Sequence, residues 1–325
     1  MNISPSATPH VTSTNPDLSG EPGRRERALV LGGGGSTGNA WLIGVIAGLF
    51  DAGLDVTTAD LTVGTSAGAT VAAQLAGATP TELLTAIVAA AQHRPAPIGS
   101  GPIGSAPLAS TSGRAPIGQV TDHLERIGRI IAAAQDAADL RRRLGAAALE
   151  LDAASGGTWQ AQWRTTVAAR LPSTGWPQRR VLITAVDASS GDPVEFDRSS
   201  GVELVDAVAA SCASGRPYRI GDRRFIDGGY RRNENADLAL GYARVLVLSP
   251  FGGRTLQPPA WGTHLAAQVE ELRTGGSAVE TIIPRSSAEH LFGAQAMDLS
   301  LRPAAALAGH EQGRALAGQL AAFWH

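Results

Sequence analysis

The stretch Arg27–Gly38, RALVLGGGGSTG, constrains this chain more than any other. An apolar run, Ala28-Leu29-Val30-Leu31, stops at four consecutive glycines, Gly32 to Gly35, and Ser36-Thr37-Gly38 then lead into the apolar segment Ala40–Phe50. That order predicts a buried strand, a tight turn and a helix. Such a turn aims backbone N–H groups and a helix N-terminus at one point, which suits a phosphate or an oxyanion. The rest of the chain has to decide between them.

Gly33 to Gly38 satisfies G-x-G-x-x-G, the pattern of a dinucleotide-binding turn, but the pattern alone is weak. That fold also needs a carboxylate at the end of the second strand to hold a ribose. Here the second strand, Asp60-Leu61-Thr62-Val63, runs straight into Gly64-Thr65-Ser66-Ala67-Gly68. This is a G-x-S-x-G between an apolar strand and an Ala-rich helix, the context a nucleophile elbow requires. The alternative is a Gly/Ser turn with a capping serine, in a chain holding 39 Gly. Strand and helix in the right order favour the nucleophile.

A serine nucleophile needs a base and oxyanion donors. The seven histidines are His10, His93, His123, His264, His290, His310 and His325, and none falls in a strand-end loop with nearby glycines. Asp227 is the better base: it follows Arg224-Phe225-Ile226, a short strand, and precedes Gly228-Gly229. Taken alone, Asp-Gly reads as a hairpin turn. An unperturbed Asp, with a pKa of ~3.9, is a poor base towards serine, so burial must raise it.

Further along, Trp41–Asp51 reads as a helix, and Thr79-Pro80-Thr81-Glu82 has the spacing of a capping box that opens another. Residues 93–118 are rich in Pro, Gly, Ser and Ala, and stand as either a surface linker or a lid over the site. Gln119–Leu151 reads as one helix that packs on the core with a solvated Arg face, and Trp159–Ala169 as another. Arg180–Val186 is a buried strand with Val194–Phe196 as its hairpin partner, Val202–Ala210 is a helix, and Arg244–Leu248 is the last clear strand. Pro258–Trp324 reads as mostly helical. The alternation predicts an α/β fold, a mainly parallel central sheet flanked by helices on both faces. The expected organisation is a disordered leader at 1–26, an α/β domain at 27–250 and a mostly helical C-terminal extension at 251–325 packed on it.

Composition removes several classes. All 27 basic residues are Arg, so Lys-dependent chemistry, including a P-loop Lys, a Schiff base and a Ser-Lys dyad, is excluded. A net charge of −2 gives no basic footprint for nucleic acid. Cys212 is the only cysteine, which rules out a disulfide framework and a Cys-based metal site. No run reaches the ~18 apolar residues of a membrane span, and Met1–Glu26 lacks the features of a signal peptide. The expectation is a soluble, cytoplasmic protein, with peripheral membrane contact left open.

Three stretches in this order resemble the patatin-like phospholipase family: the Gly33–Gly38 loop, Gly64–Gly68, and Asp227-Gly228-Gly229. The resemblance extends from Ala28 to Leu248. Ala209–Pro217 (AASCASGRP) looks like the small-residue stretch before the family's catalytic Asp, and the tail, with Pro284 and Gly293–Asp298, looks like tails of bacterial members. The resemblance implies a three-layer α/β/α fold and a Ser-Asp dyad. In it Ser66 is the nucleophile, Asp227 the base, and the N–H groups of Gly33, Gly34 and Gly35 form the oxyanion hole. A lipid or fatty-acyl ester would be cleaved through an acyl-serine, with no metal or cofactor. Two positions depart from the family pattern: Thr37, where a basic residue is common, and Ser214, where a proline is common. Two other readings stand beside it, a triad esterase of α/β-hydrolase type and a non-catalytic lipid- or acyl-binding protein on the same fold.

Overall fold

The computed structural model describes residues 26–92, 117–153 and 159–325. The leader, the 93–116 part of the linker or lid, and their proposed roles lie outside the described residues. Eight strands form one sheet: β1 (Arg27–Leu31), β2 (Leu61–Gly64), β3 (Arg180–Asp187), β4 (Pro193–Phe196), β5 (Tyr218–Ile220), β6 (Arg223–Asp227), β7 (Arg244–Leu248) and β8 (Ala278–Ile282). Hydrogen-bonded neighbours run β5-β6-β3-β2-β1-β7-β8, with β4 also on β3. The run from β3 to β8 is parallel, while β4, β5 and β6 are antiparallel additions.

The sheet is buried on both faces, so its central strands are apolar throughout, and successive side chains enter different cores. Leu29 and Leu31 of β1 join the core built with α1 (Gly35–Asp51), α2 (Ala67–Gln74) and α3 (Pro80–Gln92). Ala28 and Val30 join a second core on the opposite face. The Thr79–Glu82 box caps α3 as expected: the Thr79 N–H donates to Glu82 Oε2 at 2.8 Å, and the Glu82 N–H to Thr79 Oγ1 at 3.3 Å.

The expected helix over Gln119–Leu151 is two helices, α4 (Ile117–Ala133) and α5 (Ala137–Ala153). The break is a local cap: Asp136 Oδ1 accepts the Asp139 N–H at 2.7 Å, and Asp139 Oδ2 accepts the Gln135 N–H at 3.1 Å. The next helices are α6 (Trp159–Ala168), α7 (Leu204–Ser211), α8 (Leu265–Thr274) and α9 (Arg302–Trp324). Leu204, Val205 and Val208 of α7 and Leu320 and Trp324 of α9 add to the first core, and Leu265, Val269 and Leu272 of α8 cover the second. The tail is mostly helical, yet it also supplies β8, which extends the sheet by pairing in parallel with β7.

α9 lies on α1 backbone to backbone. A Cβ on Gly44 would stand 2.0 Å from the Ala306 carbonyl oxygen, and one on Gly313 2.2 Å from that of Val45. Gly48 and Gly309 are equally crowded, so two glycine pairs four residues apart let the helices touch. Fully buried Trp41 and Trp324 flank the contact, each removing roughly 150–250 Å² from water. None of the described helices is long and apolar enough to cross a membrane.

Candidate active site

Two adjacent parallel strands deliver the first two motifs. The register pairs Leu31 with Gly64, so the glycine loop after β1 and the serine turn after β2 leave the sheet side by side. The Thr65 N–H donates to the Leu31 carbonyl at 3.0 Å. A Cβ on Gly68 would stand 2.0 Å from that same oxygen, and one on Gly64 2.7 Å from Ala69 Cα. Both glycines flanking the serine turn are therefore required by space.

Ser66 itself is forced to φ 52°, ψ −109° at the start of α2. A non-glycine residue held there costs of order 1–3 kcal/mol, and such strain clusters at functional sites. Its N–H donates to Ser211 Oγ at 2.9 Å, which ties the turn to the end of α7.

Asp227 arrives from the other direction. β4 pairs with Ile183–Val186 on one edge of β3, so both β2 and β6 must use the other edge. β2 runs along it to Gly64 opposite Ile183, and β6, antiparallel, runs back to Asp227 opposite Ala185. The two strands thus meet end to end beside Thr184, which brings Ser66 close enough to the Asp227 carboxylate to act on its pKa. The Asp227 N–H donates to the Ala213 carbonyl at 3.0 Å, and Asp227 Oδ1 accepts the Gly229 N–H at 2.8 Å. Burial pushes the Asp227 carboxyl up to about 6, against the lowering effects of Gly229 and Ser66. The small-residue stretch Ala209–Pro217 braces both groups, through Ser211 and Ala213.

One buried side chain, which no motif marked, locks the junction. Asn235, fully buried at φ 54°, aims its Nδ2 at Thr65 Oγ1 (3.0 Å), Thr184 Oγ1 (3.3 Å), the Gly228 carbonyl (3.2 Å) and the Arg232 carbonyl (2.7 Å). Its Oδ1 accepts from Arg231 at 2.8 Å. The serine turn, β3 and the Asp-Gly-Gly turn are held by this one amide. The only hint in the sequence is the polar run Arg231–Asn235 that follows the candidate base.

The glycine loop is anchored so that two N–H groups stay open. The Gly33 N–H, expected as a donor, is already engaged with the Asn233 carbonyl at 3.0 Å. Those of Gly34 and Gly35 have no partner among the described residues. Their peptide planes are nonetheless fixed. The Gly33 carbonyl accepts from Asn233 Nδ2 at 3.2 Å, and the Gly34 carbonyl from the Gly38 N–H at 3.0 Å. In a planar trans peptide, holding the oxygen also sets where the N–H points. Asn233 Nδ2 is steadied by Glu234 Oε1 at 2.9 Å. Thr37 stands where a cation was expected; its N–H donates to the Ala296 carbonyl, and the guanidinium that reaches this loop is Arg302, from α9.

No histidine is a partner of Ser66 or Asp227 among the described residues, and His310 instead meets Asp51 at 2.9 Å, at the far end of α1. Cys212 lies close, donating to the Ser66 carbonyl at 3.2 Å, but burial pushes its thiol up to about 12, where it is no nucleophile.

No curated protein sequence matches the chain. Among solved structures, it is similar to VipD from Legionella pneumophila, at 12% identity and a TM-score of 0.41, over 91% of this chain and 67% of that one. It is also similar to the type III effector protein ExoU, at 17% identity and a TM-score of 0.31, over 90% of this chain but only 54% of ExoU. A family model described as patatin-like phospholipase matches residues 29–240, from β1 through the Asn235 hub. The chain belongs to the patatin-like phospholipase family.

Proposed function

We propose that the protein is a lipid acyl hydrolase that cleaves carboxylic esters, of phospholipase A, lysophospholipase or esterase type, on a Ser66–Asp227 dyad. The observation that carries this is the strand geometry that sets a strained, elbow-borne serine beside a buried carboxylate, whose pKa burial has pushed to about 6. Such a group is mostly ionised at neutral pH yet far more basic than an ordinary aspartate.

Asp227 takes the Ser66 proton as Oγ bonds to the ester carbon. The carbonyl π electrons move to oxygen, and the oxyanion is received by the open N–H groups of Gly34 and Gly35 at the N-terminus of α1. Collapse of the intermediate expels the alcohol, which takes the proton from Asp227 and leaves acyl-Ser66. Water, deprotonated by the same carboxylate, then attacks the acyl carbon, and the proton returns to Ser66 as the fatty acid departs. Substrate contact at a membrane surface follows from the lipid class.

The test is labelling with a fluorophosphonate, site mapping by mass spectrometry, and a panel of lipid esters. Labelling confined to Ser66, lost in Ser66→Ala and accompanied by ester turnover, is the expected result. An unlabelled, folded protein leaves the non-catalytic acyl binder standing, and loss of activity on replacing a histidine favours the triad esterase.

A further inference from the structure

The tail beyond the matched family region touches the donor loop directly. Arg302, the first residue of α9, donates through Nη1 to the Ser36 carbonyl at 2.8 Å and to Ser36 Oγ at 3.2 Å. Its Nη2 donates to Asn39 Oδ1 at 2.9 Å. The Ser36–Thr37 peptide is therefore gripped at both ends, its oxygen by Arg302 and its N–H by the Ala296 carbonyl. Asn39 Nδ2 donates to Gln74 Oε1 at 3.0 Å, and Gln74 Nε2 to the Arg170 carbonyl at 3.1 Å. The guanidinium thus heads an amide relay that joins α1, the end of α2 and the turn after α6.

This cation sits where bare energetics disfavour it. It has no carboxylate partner among the described residues, and the charge that acts on it is the like charge of Arg170. Burial first, and Arg170 second, bring it down to about 10, so it stays charged at neutral pH. It also stands in the first turn of α9 and against the first turn of α1, where helix dipoles disfavour positive charge. Among the described residues, the polar partners that offset these costs are Ser36 and Asn39.

We propose that Arg302 is a positioning residue of the ester-cleaving site, holding the Gly34–Gly35 donors in place through Ser36 and Asn39. The C-terminal extension is then part of the catalytic apparatus. The proposal rests on the ester-hydrolase reading. It requires a fixed donor geometry in the transition state, and a displacement near 1 Å can cost ~100-fold in rate.

The experiment compares the full chain with Arg302→Ala and Arg302→Lys. Active sites are counted by fluorophosphonate titration, kcat and KM are measured on a water-soluble p-nitrophenyl ester, and Tm is recorded. A parent that neither labels nor turns over defeats the hydrolase reading before the variants are compared. With an active parent, Arg302→Ala is expected to keep one titratable serine per chain and lose roughly 10- to 100-fold in kcat at nearly constant KM. Arg302→Lys, which keeps the charge but not the two-nitrogen grip, should fall between them. Guanidinium ion at millimolar concentration should restore part of the Ala variant's rate. The proposal is overturned if kcat per titrated serine stays within twofold of the parent. It is equally overturned if the whole loss is matched by a fall in titratable sites. Should the Ala variant fail to fold, the same criteria apply to Arg302→Lys.

Discussion

Two side chains hold the site together, and they do it by opposite means. Asn235 joins the serine turn to the Asp-Gly-Gly turn from inside the core, uncharged, with every polar atom engaged and no solvent access. Arg302 holds the donor loop from the rim, charged, across two helix N-termini. The difference follows from what each part must do. The proposed dyad depends on keeping Ser66 beside Asp227, and a neutral, saturated hydrogen-bond hub does that without the desolvation cost of a buried ion pair. The proposed donor loop keeps two N–H groups unpaired, so it is held through the groups beside them: the carbonyls of Gly33, Gly34 and Ser36 and the N–H groups of Gly33 and Thr37.

The largest expected effect removes the chemistry both devices serve. Ser66→Ala, and nearly equally Asp227→Asn, should lower kcat/KM by about 10⁴-fold or more while the fold persists. In the parent enzyme, kcat/KM should climb with pH through about 6 and level off above it, as Asp227 ionises. A flat profile from pH 5 to 8 removes Asp227 from the role of base.

Next comes the neutral hub. Asn235→Ala strands Thr65, Thr184, the Gly228 carbonyl and Arg231, and should cost on the order of 3 kcal/mol in a urea titration. If Asn235→Ala keeps the parent's stability, the contrast between core hub and rim clamp fails.

Asp227→Asn should have the reverse effect on stability. The folded-state pKa lies above the unfolded one, so the folded protein binds the proton more tightly and loses stability as pH rises from about 4 to about 6. The amide avoids that loss. Its gain should be full above pH ~6, on the order of 3 kcal/mol, and vanish below pH ~4. The smallest effect belongs to Asn233→Ala, which frees the Gly33 carbonyl and with it the plane carrying the Gly34 N–H. It should lower kcat by ~10-fold with KM and Tm little changed. A change in KM alone would assign Asn233 to substrate binding instead.

The turns that carry Ser66 and Asp227 were legible because each sits in a local grammar of strand, small residues and helix or turn that spans only a few positions. The hubs were not, because an asparagine or arginine in a polar run has no signature until the chain brings its partners to it. Asn235 meets Thr65 across 170 positions and Arg302 meets Ser36 across 266. β8 was missed for the same reason. Ala-Val-Glu-Thr-Ile between a glycine pair and a proline is strand-like, but its place depends on β7, far upstream. The α4–α5 break, by contrast, was available locally, since Asp136 and Asp139 have capping spacing. The expectation that Gly33 donates failed because sequence names the glycines and says nothing of which N–H is already taken.

The glycine-to-glycine seam between α1 and α9 has a consequence for the order of events during synthesis. Residues 35–51 leave the ribosome long before residues 302–324, and the early helix must wait with a bare, apolar, glycine-notched face. In the folded protein, Arg302 at the start of α9 and Ala296 just before it both contact the loop. On the reading proposed above, a nascent chain would carry Ser66 and Asp227 and still lack a finished donor loop until α9 docks.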